Sequence, residues 1–354
     1  MFLRIVSILA IMLTVTACNP TQDETADTNE TASTGETANT SASAGDGYPT
    51  TGEIERLSPK LDELIKKDAR IEVLAEGFVW SEGPLWVPGH DMLLFADIPP
   101  NRIYRWREGD RAAEVYLEPA GYTGKGPRGG EPGANGLVLD SEGRLVMCQH
   151  GDRRMARMNA PLDDPQPAFV TLADSYDGKR LNSPNDAVYD SRGNLYFTDP
   201  PYGLAKPEDQ ELPFQGVYRL STDGELTLLT DQLSRPNGIA LSPDEKTLYV
   251  ANSDPERAIW MAYDITDSGI ENGRVFFDAT EYVPQAPGLP DGLKIDNQGN
   301  LYATGPGGVW IFTPDGAHLG TIKTGQATSN CAFNEDKSAL YITADMYLLR
   351  VVLK

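Results

Sequence analysis

Along most of the chain, short apolar runs alternate with polar turns at a spacing too short for helices. The strongest runs are Leu93-Leu94-Phe95, Leu145-Val146-Met147, Leu195-Tyr196-Phe197, Leu248-Tyr249-Val250, Leu301-Tyr302-Ala303 and Leu340-Tyr341-Ile342. Short runs of this kind, bounded by Gly, Pro, Asp and Asn, predict strands. Asp140-Ser141-Glu142-Gly143, Asp190-Ser191-Arg192-Gly193, Asp296-Asn297-Gln298-Gly299 and Ser242-Pro243-Asp244-Glu245-Lys246 read as hairpin turns, with Gly where positive φ is needed. Ile103-Tyr104-Arg105-Trp106, Val217-Tyr218-Arg219-Leu220 and Val309-Trp310-Ile311-Phe312 read as third strands.

A polar position recurs just before each unit. The stretches are Trp80-Ser81-Glu82-Gly83-Pro84, Gly133-Ala134-Asn135-Gly136, Ser183-Pro184-Asn185-Asp186, Arg235-Pro236-Asn237-Gly238, Leu289-Pro290-Asp291-Gly292 and Thr328-Ser329-Asn330-Cys331. In this register Glu82, Asn135, Asn185, Asn237, Asp291 and Asn330 share one repeat position, at intervals of 53, 50, 52, 54 and 39 residues. Strand repeats of about 40–50 residues signal a β-propeller. Equivalent loops of a propeller gather about its axis on one face, so these oxygen-bearing side chains should ring one point.

The two ends of the pattern fit together. Val73-Leu74-Ala75-Glu76 aligns with Leu228-Leu229-Thr230-Asp231, the outer strand of a middle unit, yet it precedes any blade. The sixth unit has room for three strands only, near 331–334, 340–344 and 348–353. The prediction is an all-β, six-bladed β-propeller over residues 70–354, closed by an N-terminal strand that completes the last blade and removes open edges. Gly/Pro-rich insertions at 118–132 and 200–215 would shape a substrate mouth if they lie on the ring face.

The N-terminal 69 residues read differently. Residues 1–17 carry Arg4 and a short apolar stretch, as a secretory signal does. Val15-Thr16-Ala17-Cys18 resembles a bacterial lipobox, so Cys18 is the expected lipidation site and the only expected tie to a membrane. With Asn19 next, the expected location is the cell envelope, periplasmic or outer-membrane associated. Residues 18–56 are Thr, Ser, Asn, Gly and acids, and read as a disordered tether. Residues 57–69 read as a short helix, capped by Ser58 with Pro59 in its first turn and Leu61, Leu64 and Ile65 on one face.

Composition narrows the chemistry. The formal net charge of −22 argues against nucleic-acid binding, which needs a basic face. Cys148 and Cys331 fall in strands of different repeats and are expected to be buried thiols, not a disulfide. His90, His150 and His318 lack metal-ligand spacing, and neither a Gly-x-Ser-x-Gly nucleophile motif nor a phosphate loop occurs. Oxygen-only donors suit a hard divalent cation: Ca²⁺ first, Mg²⁺ or Mn²⁺ next, and Zn²⁺, which prefers His and Cys, last.

Together Ser81-Glu82-Gly83-Pro84, Leu181-Asn182-Ser183-Pro184-Asn185-Asp186, Phe197-Thr198-Asp199-Pro200-Pro201-Tyr202-Gly203, Arg235-Pro236-Asn237-Gly238 and Pro290-Asp291-Gly292 carry a specific resemblance. The chain resembles the SMP-30/gluconolactonase/LRE-like family of six-bladed propellers over nearly all of residues 70–350. The resemblance implies one divalent cation, commonly Ca²⁺, held by Glu82, Asn185, Asn237 and Asp291. It also implies hydrolysis of a lactone, most simply a sugar-acid lactone, with Asp291 assisting the attacking water. Asn135, Asp186, His150 and Asn330 are the expected substrate-binding residues. In regucalcin-type members an Arg stands two residues before the substrate-binding Asn; here Ser183 does, so their specificity does not transfer. Two alternatives stay open: a phosphotriesterase or aryl-ester lactonase of paraoxonase type, and a non-catalytic binding propeller. The expected form is a monomer or weak dimer.

Overall fold

The computed structural model describes residues 47–354. The signal segment, Cys18 and the tether up to residue 46 lie outside the described residues. Six antiparallel sheets of four or five strands follow one another along the chain, each with its first blade strand innermost, and a two-stranded ribbon, Ser175–Tyr176 with Lys179–Arg180, stands between the second and third. Blade 1 comprises Ser81–Val87, Met92–Asp97, Arg102–Arg107 and Glu114–Leu117. Blade 2 comprises Ala134–Leu139, Leu145–Gln149, Arg154–Met158 and Phe169–Ala173. Blade 3 runs from Ala187–Tyr189 to Leu226–Thr230, and blade 4 from Pro236–Leu241 to Gly269–Asp278. Blade 5 starts at Leu293–Ile295 and blade 6 at Thr328–Phe333. Each innermost strand touches the next, and that of blade 6 returns to that of blade 1, so the ring is closed. The apolar runs seen in the sequence are the second strands, and they are buried throughout. Their two faces pack against neighbouring blades: Leu94 joins Met147 in one interblade cluster, while Val146 joins Phe197 in the next. This two-sided burial explains why the runs are continuous rather than alternating.

Blade 6 draws its fourth strand from the other end of the chain. Ile71–Glu76 lies antiparallel to Tyr347–Val352, with Glu76 opposite Tyr347 and Ile71 opposite Val351.

Two N-terminal expectations need correction. The tether is not structureless to residue 56. Thr50–Thr51 pairs with Ile71–Glu76 on the rim of blade 6, and Glu53–Arg56 adds a fifth strand to blade 5 beside His318–Lys323. Gly52 makes the crossing, at φ +58 and with Lys323 O only 2.0 Å from where a Cβ would stand. These strands escape sequence reading because Ile54 is the only apolar residue among them. Their stability comes from backbone groups of blades already formed, and Lys323 Nζ reaches Glu55 Oε1 at 2.7 Å. The expected helix over 57–69 contracts to Leu61–Leu64. No side chain caps it, although Ser58 Oγ accepts from Lys60 N at 3.3 Å, and the chain turns extended at Ile65. What matters here is burial, not helicity: Leu61 and Ile65 are fully enclosed among Val309, Ile322, Leu349 and Val351, sealing the seam between blades 5 and 6.

Candidate metal and active site

Five of the six expected ring residues converge. Glu82, Asn135, Asn185, Asn237 and Asp291 all line one cavity of about 390 Å³ at the mouth of the ring. The backbone that presents them is tightly packed. At Gly83 (φ +52) a Cβ would stand 2.0 Å from Asn135 O, and at Gly238 2.2 Å from Asp291 O, so at these two blades the inner strand leans on the next through glycine. Gly136 N donates to Asn185 O at 2.7 Å, and Gly292 N to Ser329 O at 2.7 Å, binding neighbouring blades at the ring.

The last of these bonds exposes a register error. Ser329, not Asn330, is the blade 6 equivalent of Asn185. Asn330 lies one residue further along, level with Asp186 and the ring glycines. Ser329 Oγ turns away and donates to Ser81 O at 2.6 Å. The cause is local: the sixth stretch lacks the Pro or Gly that marks the register in the others.

Asn330 and Asp186 therefore form a layer beneath the ring and do not line the cavity. Asn330 Nδ2 donates to Glu82 Oε2 at 3.3 Å and to Asp186 Oδ2 at 3.4 Å. Its Oδ1 accepts from Cys331 N at 2.9 Å and from Lys294 Nζ at 3.3 Å. Lys294 Nζ also stands 3.8 Å from Asp186 Oδ2. Both expected substrate residues are thus braces for the ring, and Lys294, which the sequence reading passed over, anchors them from below.

His150 is also displaced from its expected role. It is fully buried and does not line the cavity. Its Nδ1 is 3.0 Å from Glu131 Oε2, and it is Glu131 that reaches the cavity. Both long insertions lie on the ring face, supplying Glu131 and Tyr202 to the wall. Ser183 secures the second of them: its Oγ donates to Pro200 O at 2.5 Å and accepts from Gly203 N at 2.8 Å. A third wall, Val283 to Leu289, was not foreseen, although Val283-Pro284-Gln285-Ala286-Pro287-Gly288 carries the same Pro/Gly signal.

A second polar set was also missed. Asp97, Gln149 and Asp199 each end the second strand of a blade, Asn252 lies two residues before the end of its own, Thr247–Asp254, and each fastens a loop near the ring. Asp97 accepts from Trp80 N at 2.9 Å, Asp199 from Asn182 N and Ser183 N at 2.7 Å, and Asn252 Oδ1 from Arg235 N at 2.8 Å. Gln149 Nε2 donates to Ala120 O at 2.7 Å. Their repetition two residues after Phe95, Met147, Phe197 and Val250 was a signal available in the sequence.

Electrostatics single out the ring carboxylates. Burial pushes Glu82 up to about 8, against the Gly83 N–H, with Asp186 and Glu131 adding to the rise. Burial likewise raises Asp291 well above the usual carboxylate range, reinforced by Glu82, Asp186 and Glu131. Such crowding of acids is unfavourable unless a positive charge joins them.

The donor set fits a cation. Asn135 Oδ1, Asn185 Oδ1 and Asp291 Oδ1 are enclosed acceptors with no hydrogen-bond partner. Asn237 Nδ2 is tied to Ser253 Oγ at 2.9 Å, which turns its oxygen the other way. Glu82 spends Oε2 on Gly83 N and Asn330, leaving Oε1 free of those bonds. Several acceptors facing one space without a donor make a cation site. The acceptors are amide and carboxylate oxygens with no His or Cys among them, which favours a hard ion over zinc.

Fold and site define a class: a six-bladed propeller with a well of oxygen acceptors at its central mouth. The chain belongs to the SMP-30/Gluconolactonase/LRE-like family, whose pattern matches residues 80–345. It is 42% identical to a gluconolactonase of Zymomonas mobilis over 312 residues, 85% of this chain and 86% of that one. It is 26% identical to a pentonolactonase of Haloferax volcanii, over 74% of this chain and 80% of that one. A solved gluconolactonase from Xanthomonas campestris superposes with a TM-score of 0.76 at 35% identity, covering 88% of this chain and 99% of that one.

Proposed function

We propose that this protein is a cation-dependent lactonase that hydrolyses a sugar-acid lactone. The observation that carries the reading is the convergence of Glu82, Asn185, Asn237 and Asp291 on one cavity, in a chain similar to gluconolactonases over most of its length. These four residues would hold the cation, with Ca²⁺ the best match to their oxygens. When bound, the cation supplies Lewis acidity that draws electron density from the lactone carbonyl. The protein does the rest. Asn135, on the same wall, is placed to hydrogen-bond a substrate oxygen. Trp80 and Tyr202 give the cavity flat walls for a ring. Asp291, which lines the cavity with its Oδ1 unpartnered, takes the proton of the attacking water. Asp186, Asn330 and Lys294 hold Glu82 in position.

The test is a substrate panel: an aldonolactone, γ-butyrolactone, dihydrocoumarin and paraoxon, followed by proton release. Turnover is expected on the aldonolactone above all. Turnover of paraoxon or dihydrocoumarin alone would transfer the assignment to the paraoxonase type, and none at all would favour a binding propeller.

Export and lipidation at Cys18 belong to the same proposal, on the strength of Val15-Thr16-Ala17-Cys18. Expression in a Gram-negative host should place the full chain in the membrane fraction, and Cys18→Ser should abolish that. An unchanged distribution would refute the anchor.

A further inference from the structure

We propose that Glu131 is the proton donor to the leaving oxygen of the lactone, and that His150, buried behind it, is its positioning partner. The proposal rests on the lactonase reading. Attack by water, with its proton passing to Asp291, leaves a second need. When the tetrahedral adduct collapses, the bond from carbon to the ring oxygen breaks and the electron pair goes to that oxygen. An alkoxide is a poor leaving group unless it is protonated as it departs.

Four titratable side chains reach the cavity: Glu82, Asp291, Tyr202 and Glu131. The first two belong to the cation well. The Tyr202 phenol is pushed further up by burial, which makes it the poorer acid. Glu131 remains. Its side chain is 39% exposed, on the 118–132 insertion, and it shares the cavity wall with Glu82 and Asp291 without belonging to the well.

The far side of that carboxylate meets His150. Nδ1 is 3.0 Å from Glu131 Oε2, off the N–H direction, and neither ring nitrogen has a conventional hydrogen bond in the fold. The imidazole is locked in place. A Cβ at Gly203 would stand 2.6 Å from His150 Cβ, and one at Gly151 2.5 Å from Tyr122 Cβ, so the two loops close on it. A fully buried, fixed imidazole with a half-exposed carboxylate 3.0 Å from its Nδ1 serves to aim that carboxylate. In the step, the Glu131 proton passes to the departing oxygen, giving a hydroxyl and a Glu131 carboxylate. Glu131 then recovers a proton from solvent through its exposed edge, and Asp291 releases the one it took from the water, which resets both carboxyl groups. Overall one water is consumed, and a hydroxy acid is formed.

The experiment compares leaving groups. Glu131→Gln should lower kcat about 100-fold on γ-butyrolactone, whose leaving group is an alkoxide, with KM little changed. On dihydrocoumarin, whose phenolate leaves without help, the loss should be within about threefold, since general-acid assistance scales with leaving-group basicity. His150→Gln should show the same selective loss, smaller in size. Formate buffer added to Glu131→Ala at about pH 5 should restore alkyl-lactone turnover in proportion to its formic acid fraction, the dependence that a missing proton donor produces. Equal losses on both lactones, a change confined to KM, or no response to formate would overturn the proposal while leaving the lactonase reading intact. A wild-type protein that opens no lactone would overturn both.

Discussion

Asp291→Asn is expected to lower the kcat of lactone opening by about 10³-fold, within the 10²–10⁴ range typical of a lost general base. The substitution nearly preserves shape, and it keeps an oxygen for the cation. What it removes is the capacity to take a proton. Asp291 Oδ1 is enclosed and unpartnered, and the backbone N–H of Asp291 is held by Thr304 O at 3.1 Å. The loop should therefore hold its course in the variant. Asp291→Ala should lose cation affinity as well as turnover, so the two variants separate the residue's two roles. Stopped-flow proton release, read beside a Ca²⁺ titration of each variant, makes the comparison. A kcat for Asp291→Asn within tenfold of wild type would remove Asp291 from the role of base.

The cation should stabilise the fold strongly, and more so at pH 8 than at pH 5. Without it, Glu82 and Asp291 hold protons to a higher pH in the folded chain than in the unfolded one, where Glu titrates near 4.3 and Asp near 3.9. The folded state then binds more protons, so stability is present below the unfolded values and is lost as pH rises towards about 8, the value for Glu82. A bound cation does the proton's work and abolishes that loss. At pH 5 it must displace protons; at pH 8 far fewer stand in its way. At 100 times Kd a ligand contributes about 2.7 kcal/mol. For a domain of this size that is a Tm rise of about 4 °C. Differential scanning calorimetry with Ca²⁺ or EDTA at both pH values would show it. An equal rise at the two pH values would mean that the carboxylates are not the site of competition.

How far the site could be read depended on how local its signals were. Glu82, Asn135, Asn185, Asn237 and Asp291 declared themselves because each sits beside a Gly or Pro that marks the same turn into an inner strand. Asn330 was misplaced because Thr328-Ser329-Asn330-Cys331 has no such marker, and only the bond from Gly292 N to Ser329 O reveals the register. Glu131 and His150 come from loops whose course no periodicity describes, and their meeting depends on how two insertions fold over the mouth. Lys294 looks like an ordinary strand lysine until its Nζ is found beside Asn330 and Asp186.

The strand repeat, the blade count and five ring residues were determined by sequence alone, because a propeller repeats one local pattern and short-range turn chemistry reports it. Tertiary structure decided what joins distant stretches: the pairing of Thr50–Thr51 and Glu53–Arg56 onto finished blades, the layer of Asn330, Asp186 and Lys294 beneath the ring, and the facing of His150 by Glu131. Those contacts link residues far apart in the chain. Their free energy comes from burial and from backbone groups that exist only once the ring has closed, so no local run of residues announces them.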